Sequence, residues 1–435
     1  MAKINPFSPN APVNPGTFVG RLEELDRLET CLLQTAAGQP SNFMITGERG
    51  IGKTSLLNYL KHVAEGRIPV GERTLSFLVI DTDIDPTTIQ HSLLRKIQLG
   101  LERALAKTEA ARQLFKDAWA FLQRVEAGGV KLSARQKDES EELLFEEFSY
   151  TLADFVARIC DGSDASTFNA KYDGILILID EADNAGDQLR LGSFFKLLSE
   201  RLQRRGCSRV LFGLAGLQDL RTVLVKSHPS SLRLFEELPL ERLSDDEVKR
   251  VVRICLKVAN QKNDEQVTID DAAIGTLAYL SEGYPHFIQQ FGYSAFAADN
   301  DNNIAVEDVE AGAFGQGGAL ELIGDRYYRD NFYNKIQAES YRQVLRIMAE
   351  SLDGWITKKE IKSRFKGEES TLANALKALR DREIILSKEG APGVYRLQHR
   401  GFAWWIKMYT TERVKLQQEL ALEVEGADER EEPAG

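Results

Sequence analysis

The chain has 435 residues, room for two or three domains, and its 43% hydrophobic content supports a sizeable core and excludes global disorder. A formal net charge of −11 excludes a surface that grips nucleic acid everywhere, so any such contact has to be local. There is no run of about 18 apolar residues to span a membrane, and the start Met1–Pro6 lacks the apolar stretch of a signal peptide. Cys31, Cys160, Cys207 and Cys255 stand far apart with no Cys-x-x-Cys pair, so a disulfide framework or zinc site is not expected. The expectation is a cytoplasmic protein whose cysteines are reduced and buried as small apolar residues.

Prolines 6, 9, 12 and 15 prevent residues 1–17 from forming a helix. This N-terminal segment is expected to lie extended along the next domain. Leucines at 22, 25, 28, 32 and 33 mark a helix over 21–33, Asn42–Thr46 a short apolar strand, and Ser55–Leu60 the start of a second helix. Leu75–Asp81, Gly174–Asp180 and Arg209–Gly216 read as three further strands. Continuous apolar strands alternating with helices predict an α/β fold built on a parallel sheet covered on both faces, over residues 18–242. Some 90 residues, about 83–173, separate the second and third strands, more than one crossover helix needs. They are expected to form a helical insertion: helices over 88–105, 109–125 and 143–159, with a solvated loop at Gly128, Gly129 and Lys131–Glu142.

Residues 243–325 read as an all-helical lid, with Ser244 capping a helix that opens Asp245-Asp246-Glu247, followed by helices over 270–280, 285–298 and 304–313. Residues 326–415 show three helices (341–351, 358–365 and 370–381) and a hairpin of Ile384–Ser387 with Val394–Leu397, the pattern of a winged helix. Phe402, Trp404, Trp405 and Tyr409 lie on a helix after the wing and are expected to seal its core. The acidic stretch from 416 to 435 reads as a solvated tail.

Two motifs carry chemistry. Gly47-Glu48-Arg49-Gly50-Ile51-Gly52-Lys53-Thr54 matches the phosphate loop G-x-x-x-x-G-K-[ST], between an apolar strand and a leucine-rich helix. Its glycines let backbone N–H groups turn inward around a triphosphate, Lys53 supplies a point charge to the β- and γ-phosphates, and the Thr54 hydroxyl suits magnesium. Ser55 completes this expected nucleotide-binding set. The second motif is Ile175–Asp180 followed by Glu181. An acid at the C-terminal tip of a buried parallel strand stands where open α/β sheets bind ligands. Asp180 is expected to hold the magnesium, and Glu181 to polarise the attacking water as general base.

Phe18-Val19-Gly20-Arg21-Leu22-Glu23-Glu24-Leu25, then the phosphate loop, then Leu-Ile-Asp-Glu-Ala-Asp, resembles the AAA+ and STAND ATPases, in the branch with the Orc/Cdc6-like initiators and the prokaryotic AAA ATPase switch proteins. The resemblance covers about residues 6–313, and a C-terminal winged helix fits the same group. It implies ATP with magnesium as cofactors, and Val19, Gly20 and Arg21 in the adenine pocket; otherwise Arg21 is a surface residue opening a helix. Ser230–Phe235 is similar to the segment that bears the arginine finger, which makes Arg233 a candidate catalytic group acting in trans. Its alternative is a surface ion pair with Glu236 or Glu237, and Arg204 and Arg205 are rivals. Gly283-Tyr284-Pro285-His286 is similar to the Gly-x-Pro lid signature and places Pro285 and His286 against the nucleotide, with a structural role the alternative for His286. The fourth strand ends Leu214-Ala215-Gly216 without the polar sensor residue of many AAA+ proteins, which points to slow hydrolysis by a switch.

Trp355–Arg400 holds eleven Lys/Arg against six Asp/Glu, a local balance of +5. That suits double-stranded DNA, although Glu368 and Glu369 open the recognition-type helix and winged helices in STAND proteins often pack internally. Two uses stay open. One is an ATPase that forms a homo-oligomer and is coupled to DNA, of the initiator, transposition or antiviral-defence type, with a separate effector protein. The other is a regulatory ATPase whose winged helix and insertion bind protein partners.

Overall fold

The computed structural model describes residues 3–12, 18–106, 108–120, 134–162, 165–168, 171–352, 354–388 and 390–410. It separates into two compact units, Pro12–Glu241 and a second made of Met1–Ala11 with Arg242–Gly435.

The first unit is organised by its strands: β1 (Asn42–Thr46), β2 (Phe77–Asp83), β3 (Gly174–Asp180), β4 (Val210–Gly216) and β5 (Phe235–Pro239). β4 is buried along its whole length and β3 along all but its last residue, as strands covered on both faces have to be. They form one parallel five-stranded sheet in the order β2-β3-β4-β1-β5. Helices α1 (Leu22–Ala36), α2 (Lys53–Ala64), α3 (Gln90–Leu105), α4 (Glu109–Ala118), α5 (Ala134–Asp161), α6 (Leu191–Arg204) and α7 (Leu220–Ser227) accompany it.

β5 was not legible as a strand, because Phe-Glu-Glu-Leu-Pro has only two apolar residues and ends in proline. It is tolerated as an edge strand, where one side of the ladder needs no partner. The expected loop Lys131–Glu142 is helical from Ala134 onward, since Ala134–Glu142 holds no glycine or proline and is rich in straight-chain residues of good helix propensity. Gly128, Gly129 and the rest of 121–133 lie outside the described residues. The insertion buries its own apolar face: Phe115 stacks on Phe155 with ring centroids 4.5 Å apart, Trp119 lies 5.0 Å from Phe148, and all four belong to the core that includes Ile175 and Ile177 of β3.

The second unit is mainly helical. α8 (Asp245–Asn260) starts at a capping box, Ser244 accepting from the Glu247 amide while Glu247 accepts from the Ser244 amide at 2.8 Å. α9 (Asp271–Ser281), α10 (Pro285–Ala298) and α11 (Val306–Phe314) follow, with a small parallel pair β6 (Thr268–Ile269) and β7 (Asn303–Ile304). α12 (Ala319–Ile323) runs on into two π-type stretches, Gly324–Tyr328 and Asp330–Lys335. Next come α13 (Glu339–Ala349), β8 (Ile356–Thr357), α14 (Lys358–Arg364), α15 (Glu369–Asp381), β9 (Ile385–Ser387), β10 (Val394–Leu397) and α16 (Arg400–Tyr409). The three strands make an antiparallel sheet in the order β8-β10-β9. Phe402 and Trp405 are buried in its vicinity, Trp404 and Tyr409 half-buried.

Residues 3–11 of the N-terminal segment pack within this second unit and not along the domain that follows them in sequence. Lys3 pairs with the fully buried Asp299 carboxylate at 3.2 Å, and Ile4 exchanges backbone hydrogen bonds with the Asn263 side chain. Phe7 is 2% exposed and lies on Gly292, where any Cβ would come within 2.5 Å of its ring. Asn10 accepts from Arg326 at 2.7 Å. The acidic tail lies outside the described residues, and no helix among those described is long and apolar enough to cross a membrane. Cys31, Cys160 and Cys255 are buried thiols and Cys207 is partly buried; all four are free.

Candidate functional site

The phosphate loop joins the buried end of β1 to α2. Gly50 and Gly52 have φ of +79° and +99°, a backbone that β-carbon-bearing residues rarely adopt, and this turns the chain so that α2 begins at Lys53. The Lys53 ammonium donates to the carbonyls of Gly47 (2.8 Å) and Glu48 (2.9 Å). Burial pushes its pKa below the ordinary lysine value, opposed by the carboxylates of Asp183, Asp180 and Glu48.

Because β4 lies between β1 and β3, the loop and the tip of β3 are one strand apart. Across that gap the Thr54 hydroxyl donates to Asp180 Oδ2 at 2.6 Å. Two residues 126 positions apart are thus in direct contact. Beyond Asp180 the chain turns sharply: Glu181 has φ +52° and is exposed, and its carboxylate accepts from Asn184 Nδ2 at 3.2 Å. The same amide donates to the Ile84 carbonyl at 3.3 Å. Asp183 Oδ1 accepts from the Leu217 amide just after β4, at 2.9 Å. Sequence reading gave no role to Asn184 or Asp183. The one available signal was the acidic turn itself, and their distant partners, Ile84 and Leu217, lie just beyond β2 and β4.

Of the remaining sequence-derived positions, Arg21 is brought to the loop, and Val19 and Gly20 directly precede it in the chain. Phe18 packs on Tyr59 of α2 with centroids 5.2 Å apart, and Arg21, only 7% exposed, donates to the Ile51 carbonyl at 3.2 Å and pairs with Glu24. Arg21 is therefore not a surface residue. Glu48, Arg49 and Ser55 stand on the loop and the start of α2. Arg233 is exposed on a 3₁₀ turn, Pro229–Leu234, just before β5. The ion pairs considered for it are taken: Glu236 bonds Arg27 at 2.6 Å and Glu237 bonds Arg221 at 2.8 Å. Since Asn42 faces Phe235 in a parallel register, Arg233 stands at the end of the sheet away from the loop, about 16 Å along the strand direction. Arg205 is engaged with Glu146 and stacks over Tyr150. Pro285 opens α10 in the second unit, and the His286 ring packs beside Tyr327 at 5.3 Å.

A parallel sheet with a glycine loop cradling a lysine after one strand, and an Asp-Glu pair closing another, defines a P-loop nucleoside triphosphatase fold. Within that class, residues 17–223 match the family model described as "AAA ATPase domain", and this part of the chain is an AAA+ P-loop ATPase domain. No curated protein matches the chain by sequence. Among solved structures, the Walker-type ATPase PABY2304 of Pyrococcus abyssi aligns with a TM-score of 0.51 at 16% identity, covering 90% of this chain and 96% of that one. The Aeropyrum pernix ORC2 protein, solved as ADPNP–ADP complexes, aligns at 0.52 and 13% identity over 88% and 91%. At such identities the likeness is one of fold.

Proposed function

We propose that the chain binds ATP with magnesium at this loop, hydrolyses it slowly and works as a nucleotide-dependent switch. The observation that carries this is the Thr54–Asp180 contact, which joins the hydroxyl of the phosphate loop to the strand-tip carboxylate. Two hard oxygen donors side by side, next to a lysine, suit a magnesium ion shared with phosphates and water. Such an ion would neutralise charge on the phosphate chain. Lys53 would exchange its two carbonyl partners for phosphate oxygens, and Glu181, released from Asn184, would accept a proton from the attacking water. Lys53→Ala should abolish binding of Mg–ATP, and Glu181→Gln should keep binding while lowering turnover at least a hundredfold. Calorimetry and phosphate release test both. Full affinity in the first variant, or wild-type turnover in the second, would sink the assignment.

Slow turnover is supported by the tip of β4, where Leu214, Ala215 and Gly216 bring no polar side chain. Assembly with other copies is supported by Arg233, which has no ion pair among the described residues and stands too far along the sheet to serve its own loop; in this reading it is a finger offered in trans. Residues 243–325 serve as the lid carrying Pro285 and His286, and 326–410 as a winged helix whose net basic charge meets DNA.

One observation favours the protein-binding alternative. Glu369, at the start of α15, pairs with both Lys358 and Lys362, removing cations from the face a recognition helix would present. Fluorescence anisotropy with duplex DNA and ATP over a salt series separates the two: a steep salt slope supports DNA, and no binding at about 50 mM salt supports a protein partner.

A further inference from the structure

The chain passes from one compact unit to the other at two places. One is the peptide link between Glu241 and Arg242. It is held on both sides: the Leu240 amide donates to the Thr46 carbonyl at 2.7 Å, directly before the phosphate loop, and the Leu243 amide donates to the Gly283 carbonyl at 2.9 Å. A short link between two anchored segments is what a hinge requires. The other place is the N-terminal segment, which the boundary at Ala11–Pro12 divides. Before that boundary the Ser8 amide donates to Gln289 Oε1 at 2.8 Å and Asn5 Nδ2 to the Tyr293 carbonyl at 2.9 Å, in addition to the seat of Phe7. Asn10, accepting from Arg326, is the last of these anchors. After the boundary, Phe18 packs on Tyr59 of α2, and Arg21 donates to the Ile51 carbonyl of the loop.

On the second unit the two attachments stand at opposite ends of α8. Leu243 lies just before its start, and Asn263, which holds Ile4, just beyond its end; the 16 residues between make a lever of about 24 Å. Phe18 follows Asn10 by only eight positions, so those two anchors cannot separate by more than about 29 Å. We propose that the N-terminal segment is a strap that limits the swing of the second unit about the 241–242 link, and that it thereby slows the release of nucleotide from the phosphate loop. A hinge alone leaves the far end of α8 free to travel, whereas a short second tether at that end does not. The effect on release rests on the reading of the loop as an ATP site; the limit on the swing does not.

Inserting about twenty Gly and Ser residues between Asn14 and Pro15 keeps every anchor and gives the strap slack. The effective concentration of one anchor around the other falls as roughly the −3/2 power of tether length. The release rate of a fluorescent ADP analogue, followed by stopped flow during a chase with unlabelled ADP, should therefore rise about sixfold, at an unchanged melting temperature. Phe7→Ala, which unseats the strap, should also raise it. Without nucleotide, small-angle X-ray scattering of the insertion variant should give a larger radius of gyration than the same insertion placed after Gly435. Equal radii in those two proteins overturn the strap, and so does a wild-type release rate in an insertion variant that binds the analogue. A wild-type protein that binds no nucleotide contradicts the reading of the loop instead, and scattering then decides the strap by itself.

Discussion

Residues of the site were legible to the degree that their partners are close in sequence. The phosphate loop is eight consecutive residues whose chemistry is set by their own backbone, and it stands where the motif demands. Asp180 and Glu181 were legible because a strand that ends in acid is a local pattern. Asn184 was not: an asparagine after an acidic turn is ordinary, and its value depends on Glu181 and the Ile84 carbonyl, which is 100 residues away. Arg21 shows the same limit, since its 7% exposure follows from a contact with Ile51 that no periodicity reveals. His399 lies outside the site but has a measurable consequence. Its ring is packed at 4.8 Å from Tyr284, and burial, reinforced by Arg242 and Arg396, pushes its pKa down to about 3 from 6.5. Its stabilising contribution is thus complete above pH 6.5, where the unfolded residue is also neutral. It is lost as pH falls toward 3, because only the unfolded chain takes up the proton. At pH 5 this single group should lower stability by about 2 kcal/mol relative to pH 7. Urea unfolding of His399→Phe, followed by tryptophan fluorescence at both pH values, should show a correspondingly smaller difference; an unchanged difference would assign the acid sensitivity elsewhere.

Among elements, the buried strands announced themselves because a sheet covered on both faces requires continuous apolar runs. The edge strand β5 did not, for the opposite reason: half of it faces arginines from α1 and α7 rather than core. The start of α5 failed differently, with charge density read as a loop although its residues are good helix formers. β4 is the element with least tolerance. A methyl group on Gly213 would stand 2.2 Å from Phe43 and 2.9 Å from Leu178, both buried in strands on either side. Gly213→Ala should therefore destabilise the first unit by about 1–3 kcal/mol, the range for overpacking a close-packed core. Thermal unfolding monitored at Trp119 would check it, and a melting temperature equal to wild type would show that the sheet can spread.

At the scale of the whole molecule, the fold class was legible and the course of the N-terminal segment was not. Proline spacing excludes helix but says nothing about which surface an extended segment chooses. That choice was made by Gly292 on α10, which opens a seat for Phe7, and by the buried Asp299 that receives Lys3. Phe7→Ala should remove most of this anchorage, lowering stability of the second unit by about 3 kcal/mol or more, and should expose residues 3–11 to limited proteolysis. Resistance of that segment in the variant would mean that the polar contacts suffice.

The seating of those first residues also bears on how the protein is made. Ile4 and Asn10 find their partners 259 and 316 positions later, at Asn263 and Arg326. On the ribosome the segment emerges before its partners, and its seat exists only after α8 and α10 have been synthesised and have folded. Phe7 cannot take its seat on Gly292 until the ATPase domain has been translated, so this segment docks late.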